Sequence, residues 1–167
     1  MIYILTGAIR TGKTTALIEW SKTKKDVDGL LCPDDENGKR YFLKVKSKEE
    51  FELEIESKND IELEKIIEIG SFQFLKSAFK KANEFLEQML IVPARMFLII
   101  DELGKLELRN KGLHHSAEQL IPKFMNNSKQ HLILVVRTSL LEEIIGHYQI
   151  KAYTLITKSD LTKNSLA

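Results

Sequence analysis

The sequence is short of several things, and each shortage excludes something. It has a single cysteine, Cys32, so no internal disulfide can form, which suits a reducing compartment. It has almost no net charge: 25 Lys and Arg face 24 Asp and Glu, leaving +1. Bulk electrostatics therefore give no case for nucleic-acid or membrane binding. No apolar run approaches the ~18–20 residues of a membrane-spanning helix. The N-terminal apolar stretch has no basic segment ahead of it and is broken by Gly7 and Arg10, so it reads as structure and not as an export signal. There is no internal repeat and no low-complexity segment. What remains is an ordinary globular mix, with 43% hydrophobic and 29% charged residues over a length of 167. The expectation is one cytosolic domain over 1–167 with a single sizeable core.

The apolar residues fall into two patterns. Residues 2–6, 96–100 and 131–136 are continuous runs, as expected of strands buried on both faces in a parallel sheet. Between them lie helical periodicities. Residues 13–23 carry Ala16, Leu17 and Trp20 at helical spacing, which makes Trp20 a core residue. In residues 72–90, the residues Phe72, Leu75, Phe79, Ala82, Leu86 and Met89 step by threes and fours, predicting the clearest helix of the chain. Residues 113–127 read as a helix in which Ser116 and Gln119 have capping-box spacing and Pro122 starts a new turn or a kink. Ser139 and Glu142 repeat that spacing and open a helix to about Ile145. Residues 152–156 are a last strand before a polar tail.

Residues 29–56 differ. A strand-like start runs into turn chemistry at 33–38, and Asn37-Gly38 is a hairpin signal because both residues accept positive φ. Tyr41, Leu43 and Val45 alternate, as do Phe51, Leu53 and Ile55, which predicts antiparallel strands with one face exposed. The fold class is therefore α/β: a mostly parallel sheet flanked by helices, with an added β-hairpin region at about 29–56. In such sheets ligands sit at the carboxyl ends of the strands. Thr6 and Gly7, Asp101 and Glu102, Arg137 and Thr157 all fall at those ends.

The chemistry begins at Gly7-Ala8-Ile9-Arg10-Thr11-Gly12-Lys13-Thr14, which fits G-x-x-x-x-G-K-[ST] between a strand and a helix. A triphosphate is dense negative charge. Glycines let the backbone turn its N–H groups around it, Lys13 reaches the β- and γ-phosphates, and the Thr14 hydroxyl faces Mg²⁺, with Thr15 following in the loop. The helix that starts here adds its positive dipole end. The second element is the buried run ending at Asp101-Glu102. Asp101 would support Mg²⁺ through its water shell, since Mg²⁺ keeps several waters. Glu102 would orient the attacking water and take its proton. Such a carboxylate favours hydrolysis, whereas a kinase needs an acceptor pocket, which the sequence does not reveal.

Residues 7–15, taken with Ile100-Asp101-Glu102-Leu103-Gly104-Lys105-Leu106-Glu107-Leu108, resemble the small P-loop nucleoside-triphosphatase family that includes the cancer-related NTPase and its thermophilic counterparts. The string after the buried strand is the specific part, and the stretch 28–42 looks like that family's hairpin region. The resemblance is patchy between about 45 and 90. It implies Mg²⁺-dependent hydrolysis of NTP to NDP and phosphate with broad base tolerance. Lys13 and Thr14 would bind phosphate and metal, Asp101 would support the metal, and Glu102 would be the base. Lys105 would approach phosphate, or Glu107 would pair with it. Three features depart from the pattern: Arg10 inside the loop, the acidic Asp34-Asp35-Glu36 in the hairpin, and the segment near the C-terminus.

Two alternatives stay open. One is a phosphotransferase acting on a small molecule or a nucleic-acid end. The other is a nucleotide switch that prefers GTP, because Thr157-Lys158-Ser159-Asp160 fits the [NT]-K-x-D element in which the aspartate, here Asp160, reads guanine; the acidic hairpin would then be its interaction surface. Charge on the transferred phosphoryl is often met by arginine. Arg137, ending a strand at the ligand edge, is the favoured one and Arg10 the next, while Arg40 and Arg109 are less constrained.

Overall fold

The computed structural model describes residues 1–56, 62–91, 97–163 and 166. The elements in chain order are β1 (Ile2–Gly7), α1 (Lys13–Lys22), β2 (Val27–Leu31), β3 (Tyr41–Lys44), β4 (Glu50–Glu52), β5 (Glu54–Ile55), β6 (Ile66–Ile69), β7 (Phe72–Leu75), α2 (Lys76–Gln88), β8 (Phe97–Leu103), α3 (His114–Met125), β9 (His131–Arg137), α4 (Leu141–His147), β10 (Thr154–Ile156) and α5 (Lys158–Thr162). Among the described residues the strands form a seven-stranded sheet of order β10-β1-β9-β8-β2-β3-β4 and a three-stranded sheet of order β5-β7-β6. The five strands from β10 to β2 run parallel, and β3 and β4 add antiparallel.

The continuous apolar runs form the middle of the large sheet for the reason expected: both faces are covered. Ile2 and Ile4 face one core with Leu98, Ile100, Leu132 and Leu134, under α2, α3 and α4. Tyr3 and Leu5 face the other with Ile99, Ile133 and Val135, under α1 and α5. Trp20 belongs to this second core and meets the Phe97 ring edge-on at 5.1 Å. Met96, the expected start of the β8 run, lies outside the described residues.

Several expectations are corrected. The Asn37-Gly38 turn does join antiparallel strands, but only Gly38 takes positive φ. Asp35 N–H donates to Lys39 O and Gly38 N–H to Asp35 O, closing a three-residue loop with Gly38 in the left-handed position. Nor is β3 exposed on one face: Phe42 enters the first core and Leu43 the second. The strand stretch 50–55 splits at Leu53, with β4 in the large sheet and β5 in the small one. The long helix is shorter than its periodicity suggests. Residues 72–75 are β7, paired with β6 from Ile66↔Leu75 to Ile69↔Phe72, and α2 begins at Lys76. Phe79, Ala82 and Leu86 do form its buried face.

Helix ends differ too. Ser116 is not a cap; it is fully buried inside α3, where its hydroxyl donates to Asn83 of α2. Pro122 lies inside α3, which runs through it to Met125. Ser139 does not open α4 either: residues Thr138–Leu140 form a 3₁₀ turn and Leu140 takes the N-cap position without a side-chain bond. The polar tail contains α5, whose cap is Thr157 with Asp160 in a capping box.

Candidate functional site

The parallel strands bring their carboxyl ends to one edge. Gly7 is in register with Arg137, and β8 bulges between Ile100 and Leu103 beside β9. The bulge puts two neighbouring carboxylates into different surroundings. Asp101 is buried against the loop, and Glu102, held at φ 63, reaches into the open cleft with its side chain 31% exposed. Positive φ is costly for a residue with a side chain, so the neighbours on both sides must hold this turn.

The 7–15 loop wraps in front of β8. Arg10 at φ 54 and Gly12 at φ 76 turn the chain into α1. Lys13 folds back under the loop, donating to Ala8 O at 2.6 Å and Gly7 O at 3.2 Å. Burial lowers its pKa, against the opposing attraction of Asp101 and Glu102. The Thr14 hydroxyl donates to Asp101 Oδ2 at 2.8 Å, and Cys32 N–H donates to the same oxygen at 3.0 Å. Asp101 Oδ1 is buried and has no hydrogen-bond partner among the described residues. Burial, and then the charge of Glu102, push the Asp101 carboxyl up to about 7. An orphaned carboxylate oxygen beside a threonine hydroxyl is a donor set that suits a hard cation carried in with phosphates.

A cavity of about 690 Å³ joins these parts. One end is lined by Ile9 through Thr15, with Asp101, Glu102 and Arg137. It extends to Phe42, Leu53, Phe74 and Phe79, so the small sheet and α2 supply its far wall. That wall was not legible in the sequence, because it comes from the region where helical and strand periods overlap.

The remaining expected residues are dispersed differently. Arg137 Nη2 sits 3.2 Å from Glu102 Oε1. Arg10 is exposed at the loop tip and makes no ion pair among the described residues. Asp160 lies on α5, where its Oδ2 accepts the Thr157 N–H and hydroxyl, each at 2.7 Å. Lys158, two residues before it, touches the 7–15 loop, donating to Thr11 O. Glu107 does not pair with Lys105: it is buried and accepts the N–H groups of Gly104 and Leu113, while Lys105 is exposed. Arg40, less constrained than Arg137 as read from the sequence, has its Nε 3.6 Å from Glu102 Oε2. No pattern local to residue 40 signals that contact, which spans 62 residues of chain.

The family model described as NTPase matches residues 2–165. Among solved structures, THEP1 from the hyperthermophile Aquifex aeolicus superposes with a TM-score of 0.72 at 18% identity, covering 99% of this chain and 97% of that one. The solution structure of a human cancer-related nucleoside triphosphatase superposes with a TM-score of 0.65 at 17% identity, covering 98% and 94%. No curated protein sequence matches the chain.

Proposed function

The chain belongs to the NTPase family, and from that premise we propose that it is a Mg²⁺-dependent nucleoside-triphosphatase that cleaves NTP to NDP and phosphate with broad base tolerance. One observation carries the reading: the Thr14 hydroxyl bonds Asp101 at 2.8 Å beside a buried, unpartnered carboxylate oxygen, with Glu102 next in the chain. The activity in the name of the human relative supports it.

Each residue then has a task. Lys13 exchanges the carbonyls of Gly7 and Ala8 for β- and γ-phosphate oxygens, and the loop N–H groups from Ala8 to Thr15 surround the chain of phosphates. Thr14 and Asp101 would hold Mg²⁺, directly and through water, and the ion when bound neutralises charge on the β- and γ-phosphates. Glu102 orients a water and accepts its proton as the water oxygen bonds to Pγ. The bond from Pγ to the bridging oxygen breaks, and its electron pair leaves on the diphosphate. Arg137 donates to the charge that develops. We assign the 157–160 segment, with Asp160, to the base side, because Lys158 touches Thr11. The Asp160 carboxylate is engaged as a helix cap, which supports tolerance of several bases over guanine selection. Among the described residues no helix is long and apolar enough to cross a membrane; a cytosolic setting and a single domain over 1–167 are part of the same proposal.

Phosphate release from ATP, GTP, CTP and UTP tests it. Wild type should hydrolyse several of them. Lys13→Ala should lose binding and turnover. Glu102→Gln should bind nucleotide normally and turn over about 10²–10⁴-fold more slowly, the range for losing a positioned base. Full activity in Glu102→Gln would overturn the assigned base. One observation favours phosphotransfer as a second reading: the cavity continues past Glu102 to Phe42, Phe74 and Phe79, with room for an acceptor. It predicts labelled γ-phosphate on a product other than free phosphate.

A further inference from the structure

Glu102 is held between two arginines from opposite walls. Arg137 Nη2 lies 3.2 Å from Oε1, and Arg40 Nε lies 3.6 Å from Oε2. Arg137 ends β9 next to the phosphate loop. Arg40 comes from the foot of the hairpin, one residue before β3, with its side chain 13% exposed.

Arg40 is unusually well fixed. Its guanidinium carbon stands 5.0 Å from the Phe72 ring centre and 5.9 Å from that of Phe74. Its backbone is clamped as well: its N–H donates to Glu54 Oε2 at 3.2 Å, and its carbonyl accepts the Glu54 N–H at 3.0 Å. Asp34 Oδ1 lies 4.0 Å from Nε on the outer side. An exposed surface ion pair adds little to stability and needs no aromatic platform. Here a strand of the second sheet supplies one, and the arginine it carries points at the carboxylate beside the phosphate loop. A guanidinium has five N–H donors, and each of these two contacts Glu102 through a single nitrogen. Both keep donors to offer a second anion in the same cavity.

We propose that Arg40 is a catalytic residue: the chain's own arginine, positioned by its contact with Glu102 and donated to the γ-phosphoryl oxygens during hydrolysis. The proposal rests on the hydrolytic reading above. Charge spreads over the equatorial oxygens of the transferred group, and a rigid planar donor meets it without having to reorganise. Arg40 forms no covalent bond and moves no proton; the water proton still goes to Glu102 and the bridging electron pair to the diphosphate. Release from Arg40 also frees Glu102 Oε2 for the attacking water. The second sheet becomes part of the catalytic apparatus, as the support of this arginine, and no partner protein has to supply one.

The test uses the full chain with ATP and Mg²⁺, as wild type, Arg40→Ala, Arg40→Lys and Phe72→Leu. The readouts are phosphate release, nucleotide affinity by calorimetry, melting temperature, and trapping of ADP with aluminium fluoride, which mimics the transferring phosphoryl. Arg40→Ala should lower kcat about 10²–10³-fold, below the full effect of an arginine finger because Arg137 remains. KM and ADP affinity should stay within about threefold, trapping should be lost, and added guanidinium ion should restore part of the rate. Arg40→Lys keeps the charge but not the fork, and should recover only a small part of kcat. Phe72→Leu removes the nearer ring of the platform without touching Glu102 and should lower kcat about 2–5-fold at unchanged KM, as expected for loss of one exposed cation–π contact. Wild-type kcat and trapping in Arg40→Ala would overturn the proposal. So would a loss that follows melting temperature or nucleotide affinity, which marks a structural role. If wild type itself releases no phosphate from any NTP, the hydrolytic reading fails first and takes this role with it.

Discussion

Glu107 is 3% exposed, yet among the described residues it is an acid in no ion pair. Its two oxygens accept the Gly104 N–H at 2.7 Å and the Leu113 N–H at 2.8 Å, tying the end of β8 to the start of α3. Gly112 at φ 64 leaves it the space: a Cβ there would stand 2.2 Å from Oε1. The clamp closes two residues after Glu102, so it holds the turn that aims Glu102. Burial pushes the Glu107 carboxyl up to about 7, and the two N–H donors hold that rise back. The sign of the pH effect follows. Between the ordinary value near 4 and about 7, the folded chain keeps a proton that the unfolded chain has released. This group's contribution to stability is therefore full at low pH and is lost as pH rises through that window. Glu107→Gln should flatten this part of the stability profile. It should also cost about 1–3 kcal/mol, because the amide NH₂ meets a backbone N–H and leaves a buried donor unpaired. Urea unfolding from pH 4.5 to 8 checks both. The motif string singled out Glu107 but suggested Lys105 as its partner; the true partners are main-chain groups, which no side-chain pattern announces.

At the scale of elements, β2 links the hairpin to the site. Its Gly29 sits at φ 126, opposite Ile99 of β8, where a Cβ would come within 2.2 Å of Ile99 O. The close approach lets β2 continue into Cys32, whose N–H donates to Asp101. Gly29→Ala combines a forbidden backbone angle with a main-chain clash. It should destabilise the protein by about 3 kcal/mol or more and weaken nucleotide binding through Asp101. A melting curve with a calorimetric titration measures the pair of effects; wild-type stability would contradict this reading of β2. The buried strands and the first and third long helices were legible as elements, because apolar runs and 3.6-residue spacing each admit one solution. Residues 72–75 were not. Phe72 and Leu75 satisfy the helical step, and Phe72 and Phe74 satisfy alternation. Pairing with β6, a partner outside any local window, selects the strand. The same limit applies to Phe42, which reads as the exposed side of a hairpin until α2 and β7 cover it.

At the scale of the molecule, the site is assembled from segments near 7–15, 32–42, 101–107 and 137, which meet only in the folded chain. A ligand held there binds the native state alone, so stability must rise with its concentration, by about 2.7 kcal/mol at a hundredfold excess over Kd. The melting temperature should climb with ATP and Mg²⁺, climb less when EDTA removes the metal, and stay flat in Lys13→Ala. An unchanged melting temperature at millimolar nucleotide would contradict binding at this cavity.

The sequence alone determined the parallel α/β architecture and brought the 7–15 loop and Asp101-Glu102 to one edge. Those follow from local rules: apolar runs make buried strands, a glycine-rich turn precedes a helix, and parallel strands present their carboxyl ends together. The tertiary structure decided which residues surround Glu102. Arg40 and the Phe72 and Phe74 platform beneath it are brought to Glu102 by long-range packing of the second sheet. Such contacts depend on how separate elements dock, and the spacing of residues along the chain does not encode them.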